Sequence, residues 1–284
     1  MNKIVDGQIP QEDLAGYVSD IRNSGYTIVK KFMSNETRNT LKVLVDDFSS
    51  EKVVLNNVSS GQALDRYVYH LQYKDVRFIQ LFGSSNILEI LQPFLNDPFY
   101  TQIPKGNPNF TLAYYNARSS VAPLELHIDS YVPSVGNFTT SMQISFSLEG
   151  QTKANGATIV VPGSHLLNKY PDRPRKCQNE IVLECDPGDA IIWDSRLWHG
   201  ALANESGTSR WSLVATFRPW WAKQNFDPVS GLPENVYSQL SPVEKGLLGF
   251  LSLPPKNEME KVALKEGYTD LLDSVKQYKF RRDS

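Results

Sequence analysis

His127 and Asp129 stand two residues apart in Leu126-His127-Ile128-Asp129, and His199 follows 72 positions after His127 in Trp198-His199-Gly200. Strand side chains alternate with period two, so an H-x-D pair on a strand turns an imidazole and a carboxylate to one side. Two histidines and a carboxylate on one face of a metal ion, with the other positions open, form the ligand set of non-haem Fe(II) oxygenases. Arg210 and Ser212, in Arg210-Trp211-Ser212, are also two apart and share a face. A guanidinium offers two parallel donors to a carboxylate, and a serine hydroxyl adds another. The pair suits the distal carboxylate of 2-oxoglutarate; a structural ion pair at Arg210 is the plainer reading.

Other chemistry-bearing residues have blander readings. His165, in Pro162-Gly163-Ser164-His165, reads as structural, holding its loop by a hydrogen bond. His70, beside Tyr67, Val68 and Tyr69, is a pocket-wall residue or a packed aromatic. Trp193 and Trp198 read as core, and Asp194 as either a partner of a ligand histidine or a turn residue. Pro219-Trp220-Trp221 lines a pocket entrance or closes a core edge, and Arg173-Pro174-Arg175-Lys176 is a solvated basic loop.

The elements that must position these groups fall into three stretches. The first, about 1–105, is mostly helical. Leu14, Tyr17, Val18 and Ile21 have helical spacing within Gln11–Asn23, and Ser34 is placed to cap a helix reaching Phe48. Asp75–Phe82 and Asn86–Leu95 are further helices, and Tyr26–Val29 is a short strand. From about 106 to 221 the pattern turns to strands: Phe110–Tyr115, the His127 strand, Ser141–Leu148, Ala157–Val161, Glu180–Leu183, Ala190–Trp193 and Trp211–Phe217. Short strands between Gly, Pro, Asn and Asp turns imply a sandwich or barrel, and ligands on an early and a late strand favour a cupin-like double-stranded jelly roll. The last stretch, about 222–284, has helical patterns over Ser241–Leu251 and Glu258–Tyr278. No linker separates the three, so a single domain is expected: mainly β, with N- and C-terminal helices around the core.

These residues together resemble the phytanoyl-CoA dioxygenase family of Fe(II)- and 2-oxoglutarate-dependent oxygenases. The resemblance covers roughly Phe110 to Trp221 and is carried by H-I-D, N-G-A-T-I-V-V-P-G-S-H (Asn155–His165), W-H-G and R-W-S. It implies that His127, Asp129 and His199 hold iron and that Arg210, supported by Ser212, clamps 2-oxoglutarate. Thr158 and Gln143 become further candidates for cosubstrate contact. Halogenating relatives lack the carboxylate ligand, so Asp129 implies hydroxylation or another oxidation, with O2 as the second cosubstrate and succinate and carbon dioxide as products.

Composition narrows the partners. The 284 residues are 40% hydrophobic with a net charge of -2, which gives no bulk attraction to nucleic acid. No apolar run approaches the ~18 residues of a spanning helix, so no integral membrane segment is expected. The N-terminus lacks the apolar core of a signal peptide, and Cys177 and Cys185 read as free thiols, which points to the cytoplasm. The expected substrate is a small molecule; the sequence carries no signal for oligomeric state. Two other readings stand beside the leading one. The same chemistry directed at a Kdo-type sugar of lipopolysaccharide would let Gly246–Leu251 lie against a membrane. A non-catalytic, cupin-like metal-binding protein would have no need of a keto-acid clamp.

Overall fold

The computed structural model describes residues 7–50, 66–100, 103, 105–130, 132, 133, 136, 138–172 and 177–253. The expected helix over Glu258–Tyr278 and the Arg173–Lys176 cluster lie outside them. Helix α1 (Gln11–Ser24) ends at Gly25, whose φ of 88° is the left-handed conformation that suits glycine beyond a helix end. Strand β1 (Tyr26–Val29) follows. Helix α2 (Asn35–Ser50) starts where expected, the Ser34 hydroxyl accepting the Thr37 amide at 3.1 Å. Next come β2 (Arg66–Val68), α3 (Leu71–Lys74), α4 (Val76–Gly83) and α5 (Leu88–Leu95), with Asp75 capping α4 through the Arg77 amide.

The strands of the core are β3 (Phe110–Ser119), β4 (Leu124–His127), β5 (Met142–Ser147), β6 (Thr158–Val160), β7 (Ile181–Leu183), β8 (Ala190–Asp194), β9 (His199–Ala201) and β10 (Ser212–Pro219). They form a six-stranded sheet in the order β1-β8-β5-β10-β3-β2 and a four-stranded sheet in the order β4-β9-β6-β7, with antiparallel pairing throughout. This is the expected double-stranded jelly-roll architecture. Short helices α6 (Pro228–Gly231), α7 (Glu234–Tyr237) and α8 (Pro242–Leu247) follow, the last opened by a Ser241–Glu244 capping box. Leu247, Leu248 and Phe250 are completely buried and Leu251 nearly so, which makes Gly246–Leu251 a core segment instead of a membrane-facing one. Among the described residues, no helix is long and apolar enough to cross a membrane.

Register decides which side chains face which layer. Residues directly opposite on antiparallel strands point to the same side. On one face of the large sheet, Met142, Ile144 and Phe146 of β5 join Leu213, Ala215 and Phe217 of β10 and Tyr115 and Ala117 of β3 in the main core beneath the helices. On the other face lie Gln143, Ser145 and Ser147, opposite Thr216, Val214 and Ser212, opposite in turn Tyr114, Asn116 and Arg118. The alternation of β5 therefore separates apolar from polar, yet every residue of the strand is buried. Its polar side faces the space between the two sheets, not solvent. A register shift at Thr216/Phe217 places one extra residue on β3, so Leu112 and Tyr115 share the helix-facing side.

Helix α4 seals the sheet with aromatic contacts. Phe82 meets the rings of Tyr115 at 5.5 Å and Phe217 at 5.3 Å, in edge-to-face geometry. Phe82→Ala should destabilise the fold by about 3–5 kcal/mol, since a fully buried ring leaves a cavity between rigid layers. Urea unfolding checks this, and a shifted midpoint at unchanged slope is the expected result.

Candidate metal centre and adjoining cavity

His127 is the last residue of β4, and it lies directly opposite His199, the first residue of β9. The pairing of Leu124 with Ala201 and of His127 with His199 leaves one extra residue on β4, a bulge that aims His127 inward. Gly200 makes this close approach workable, because a Cβ there would sit 2.4 Å from the Leu124 carbonyl oxygen. Asp129 lies in the bend just after β4, so the period of a strand alone does not aim it. The Asp129 and Ser130 amides instead donate to the Ser195 carbonyl at 2.8 and 3.0 Å, which turns the carboxylate towards the histidines.

Donor atoms then converge. The Nδ1 atoms of His127 and His199 lie 2.9 Å from the carbonyl oxygens of Glu125 and Leu197, which can only accept. Nδ1 therefore donates on each ring, which turns Nε2 towards Asp129 and leaves it as the atom that would bind a metal. His127 Nε2 is 3.5 Å from Asp129 Oδ1, and His199 Nε2 is 2.9 Å from Asp129 Oδ2. One ligand atom from each of the three lies within 4.8 Å of the others. Burial pushes the Asp129 carboxyl up, but His199 and His127 outweigh it and hold the group well below the usual carboxylate range. Two imidazole nitrogens and a carboxylate suit a divalent transition metal, and they fit the facial ligand set of non-haem iron. Gln143 Nε2 donates to Asp129 Oδ2, so this residue supports the carboxylate.

The turn between β8 and β9 holds this geometry. Asp194 accepts from the Arg196 amide at 2.9 Å, from Arg196 Nε at 3.0 Å and Nη2 at 2.7 Å, and from the Thr139 hydroxyl at 2.9 Å. Asp194 makes these bonds to the turn and none to the imidazoles, which settles its two readings in favour of the turn. His165 is structural as expected, with Nε2 3.2 Å from the Arg22 carbonyl. Its ring packs on Gly25, where a Cβ would sit 2.7 Å from His165 Nδ1. His70 is a packed aromatic, edge-on to Phe226 with ring centroids 4.1 Å apart. Trp193 and Trp198 are buried; Trp220 stacks on Tyr100 and donates to Asp97, while Trp221 is exposed against Phe138. Cys177 and Cys185 are free thiols.

A cavity of about 260 Å³ opens beside His199 between the sheets. Arg210, Ser212, Thr158 and Ser145 line it, together with Gln151, Arg118 and Trp193. Gln151 Oε1 accepts from Arg210 Nη1 at 3.2 Å and from the Thr158 hydroxyl at 2.9 Å. Arg210 Nε and the Ser212 hydroxyl are buried with no partner. Burial, then the charge of Arg118, lowers the Arg210 pKa to about 10, which leaves it a cation at neutral pH. Gln143 and Thr158 thus part company: the first serves Asp129 and the second lines the cavity. Gln151 and Arg118 were not singled out from the sequence. A signal for Arg118 was present in the period-two run Tyr114, Asn116, Arg118, which continues past Tyr115, where the expected strand ends.

The sequence profile of the phytanoyl-CoA dioxygenase (PhyH) family matches residues 21–212, which is most of the chain and spans both the candidate metal centre and the cavity. The chain belongs to the phytanoyl-CoA dioxygenase family. An uncharacterised protein of Mycobacterium tuberculosis is 33% identical over 179 residues, covering 63% of this chain and 64% of that protein's length. Dioxygenase cdmA of Talaromyces verruculosus is 31% identical over 260 residues, covering 82% of this chain and 81% of its own. Among solved structures, the non-haem α-ketoglutarate-dependent epimerase SnoN from nogalamycin biosynthesis superposes with a TM-score of 0.57 at 18% identity, covering 74% of this chain and 84% of SnoN. HygX from Streptomyces hygroscopicus, with nickel and 2-oxoglutarate bound, superposes with a TM-score of 0.58 at 13% identity, over 76% of this chain and 90% of HygX. At these identities the structures show a shared fold. In this family member, the Asp194–Arg196 pair predicts a measurable outcome. Arg196→Met should cost about 3–5 kcal/mol, because it leaves the buried Asp194 charge without its cation; chemical denaturation of the metal-free protein measures it.

Proposed function

We propose that the protein is an Fe(II)- and 2-oxoglutarate-dependent oxygenase that hydroxylates an unactivated C–H bond of a small molecule. The observation that carries this reading is the pairing of two sites. Three metal-ligating side chains converge at His127, Asp129 and His199, and the adjoining cavity holds a buried guanidinium whose Nε, like the Ser212 hydroxyl, lacks a partner. Iron bound there would supply activation of O2, with decarboxylation of 2-oxoglutarate to succinate and CO2 balancing the insertion of one oxygen atom into the substrate.

The chain's own residues define the rest. Glu125 and Leu197 carbonyls hold the imidazole protons away from the metal side, and Gln143 holds one Asp129 oxygen. Arg210 and Ser212 receive the distal carboxylate, which fixes the keto acid with its chelating end towards the histidines. Trp193, whose ring centroid lies 5.4 Å from that of His199, flanks the site and lines the cavity. The carboxylate at position 129 occupies the place a halide would need, which favours oxygenation. Small-molecule use is supported by a SnoN structure described with nogalamycin RO and a HygX structure with hygromycin B bound. A non-catalytic metal-binding role leaves the buried Arg210 unexplained. Burial of Gly246–Leu251 removes the observation that favoured a lipid-linked sugar.

Asp129→Ala should abolish Fe(II) binding at stoichiometric metal and with it succinate formation, since only neutral imidazoles remain. Equilibrium dialysis and a succinate assay read the two effects; tight Fe(II) binding by this variant would remove Asp129 from the ligand set. Arg210→Lys keeps the charge and loses the planar fork. It should weaken 2-oxoglutarate by roughly 30- to 150-fold while Fe(II) affinity stays put. Anaerobic titration of the visible charge-transfer band that keto-acid chelation gives to Fe(II) measures this.

A further inference from the structure

Arg118 has no role in the reading so far. It projects from β3 directly opposite Ser212 of β10, on the inner face of the large sheet, and it lines the same cavity as Arg210. Two guanidinium groups thus share one small cavity, and no residue described in its lining is an aspartate or glutamate. Like charges so placed repel, and the lowered Arg210 pKa, to which Arg118 contributes, registers that repulsion. The same cavity holds the Ser212 hydroxyl, buried at 4% exposure with no partner; Arg210, at 6% exposure, has its Nε unpartnered. A chain that places two cations and an idle hydroxyl around one space, and supplies no acid, has built a receptor for an anion from elsewhere.

We propose that Arg118 is a second cation of the cosubstrate site, closing on the distal carboxylate of 2-oxoglutarate from β3 while Arg210 and Ser212 hold it from β10. This assignment rests on the reading of the cavity as the 2-oxoglutarate site. It makes Arg118 a specificity residue for dicarboxylate keto acids. A monocarboxylate such as pyruvate reaches the metal with the same chelating atoms but leaves both guanidiniums unpaired. The two cations would also hold succinate, so release of that product is coupled to the same pair.

The test is an anaerobic titration of the Fe(II) full-length protein with 2-oxoglutarate and, separately, with pyruvate, followed by the charge-transfer band. Wild type, Arg118→Gln and Arg118→Lys are compared, with thermal unfolding to confirm that each is folded. Arg118→Gln should weaken 2-oxoglutarate by roughly 10- to 30-fold, as expected for loss of one charge-assisted contact, and leave pyruvate unchanged. Arg118→Lys should recover part of the loss. Equal weakening of both keto acids would mean that Arg118 acts through the fold or the metal and would overturn the assignment. So would an unchanged 2-oxoglutarate titration in Arg118→Gln beside a normal wild-type one, with the cosubstrate reading left standing. Absence of a band with either keto acid in wild type would instead remove the cosubstrate reading itself, and this assignment with it.

Discussion

The candidate site depends on one carbonyl. The Ser195 oxygen accepts the amides of Asp129 and Ser130, so the bend carrying the carboxylate is attached to the turn that launches His199. That oxygen keeps its place because Asp194 and Arg196 brace the turn on either side of it, with the Thr139 hydroxyl as a further donor. A buried ion pair is seldom a net source of stability, since removing both charges from water costs several kcal/mol each. Here its value is directional. It holds a four-residue turn between two strands of different sheets, and so relates the large sheet to the small one.

Much of the large sheet was legible because its strands alternate strongly. Ser141–Leu148, Ala190–Trp193 and Trp211–Phe217 match β5, β8 and β10 to within two residues. Helices were equally readable: Ser34 caps α2 as expected, and Asp75–Phe82 matches α4 to within one residue. What escaped were elements of three or four residues, β2, β9, α3, α6 and α7, which are too short to display a period and owe their existence to neighbours. The triad was readable as a set, but the reason for its geometry was not. Asp129 lies outside its strand and is aimed by a carbonyl 66 positions away, a contact with no local signature. Arg118 stood in a visible period-two run, but which face of β3 looks inward is set by strand pairing, and register is a tertiary property; Gln151 lies outside the strands, in a bridge to Cys185.

The inner face of the large sheet also shows a tension between folding and function. Arg210 Nε, the Ser212 hydroxyl and Trp193 Nε1 are all buried without partners. Each such group costs roughly 1–3 kcal/mol relative to a satisfied one. They cluster where the sheets part, and the opposite face of the same strands is an unbroken apolar layer under the helices. One sheet thus carries the stability on its outer side and tolerates the polar burden on its inner side.

Gly25 extends these relations to the start of the chain. Its left-handed backbone and missing side chain let it fit between His165 and Leu197, and its carbonyl accepts the Asp194 amide at 2.9 Å. The end of the first helix is therefore a wedge against the turn that presents His199. Contacts of such sequence separation form late, after the loops between them have closed. The geometry at the histidines is therefore coupled to the docking of the first helix, and an ion captured there would stabilise that docking by mass action. The N-terminal helix is thus tied to the jelly roll by a backbone fit, and the register in which it ends is part of the site.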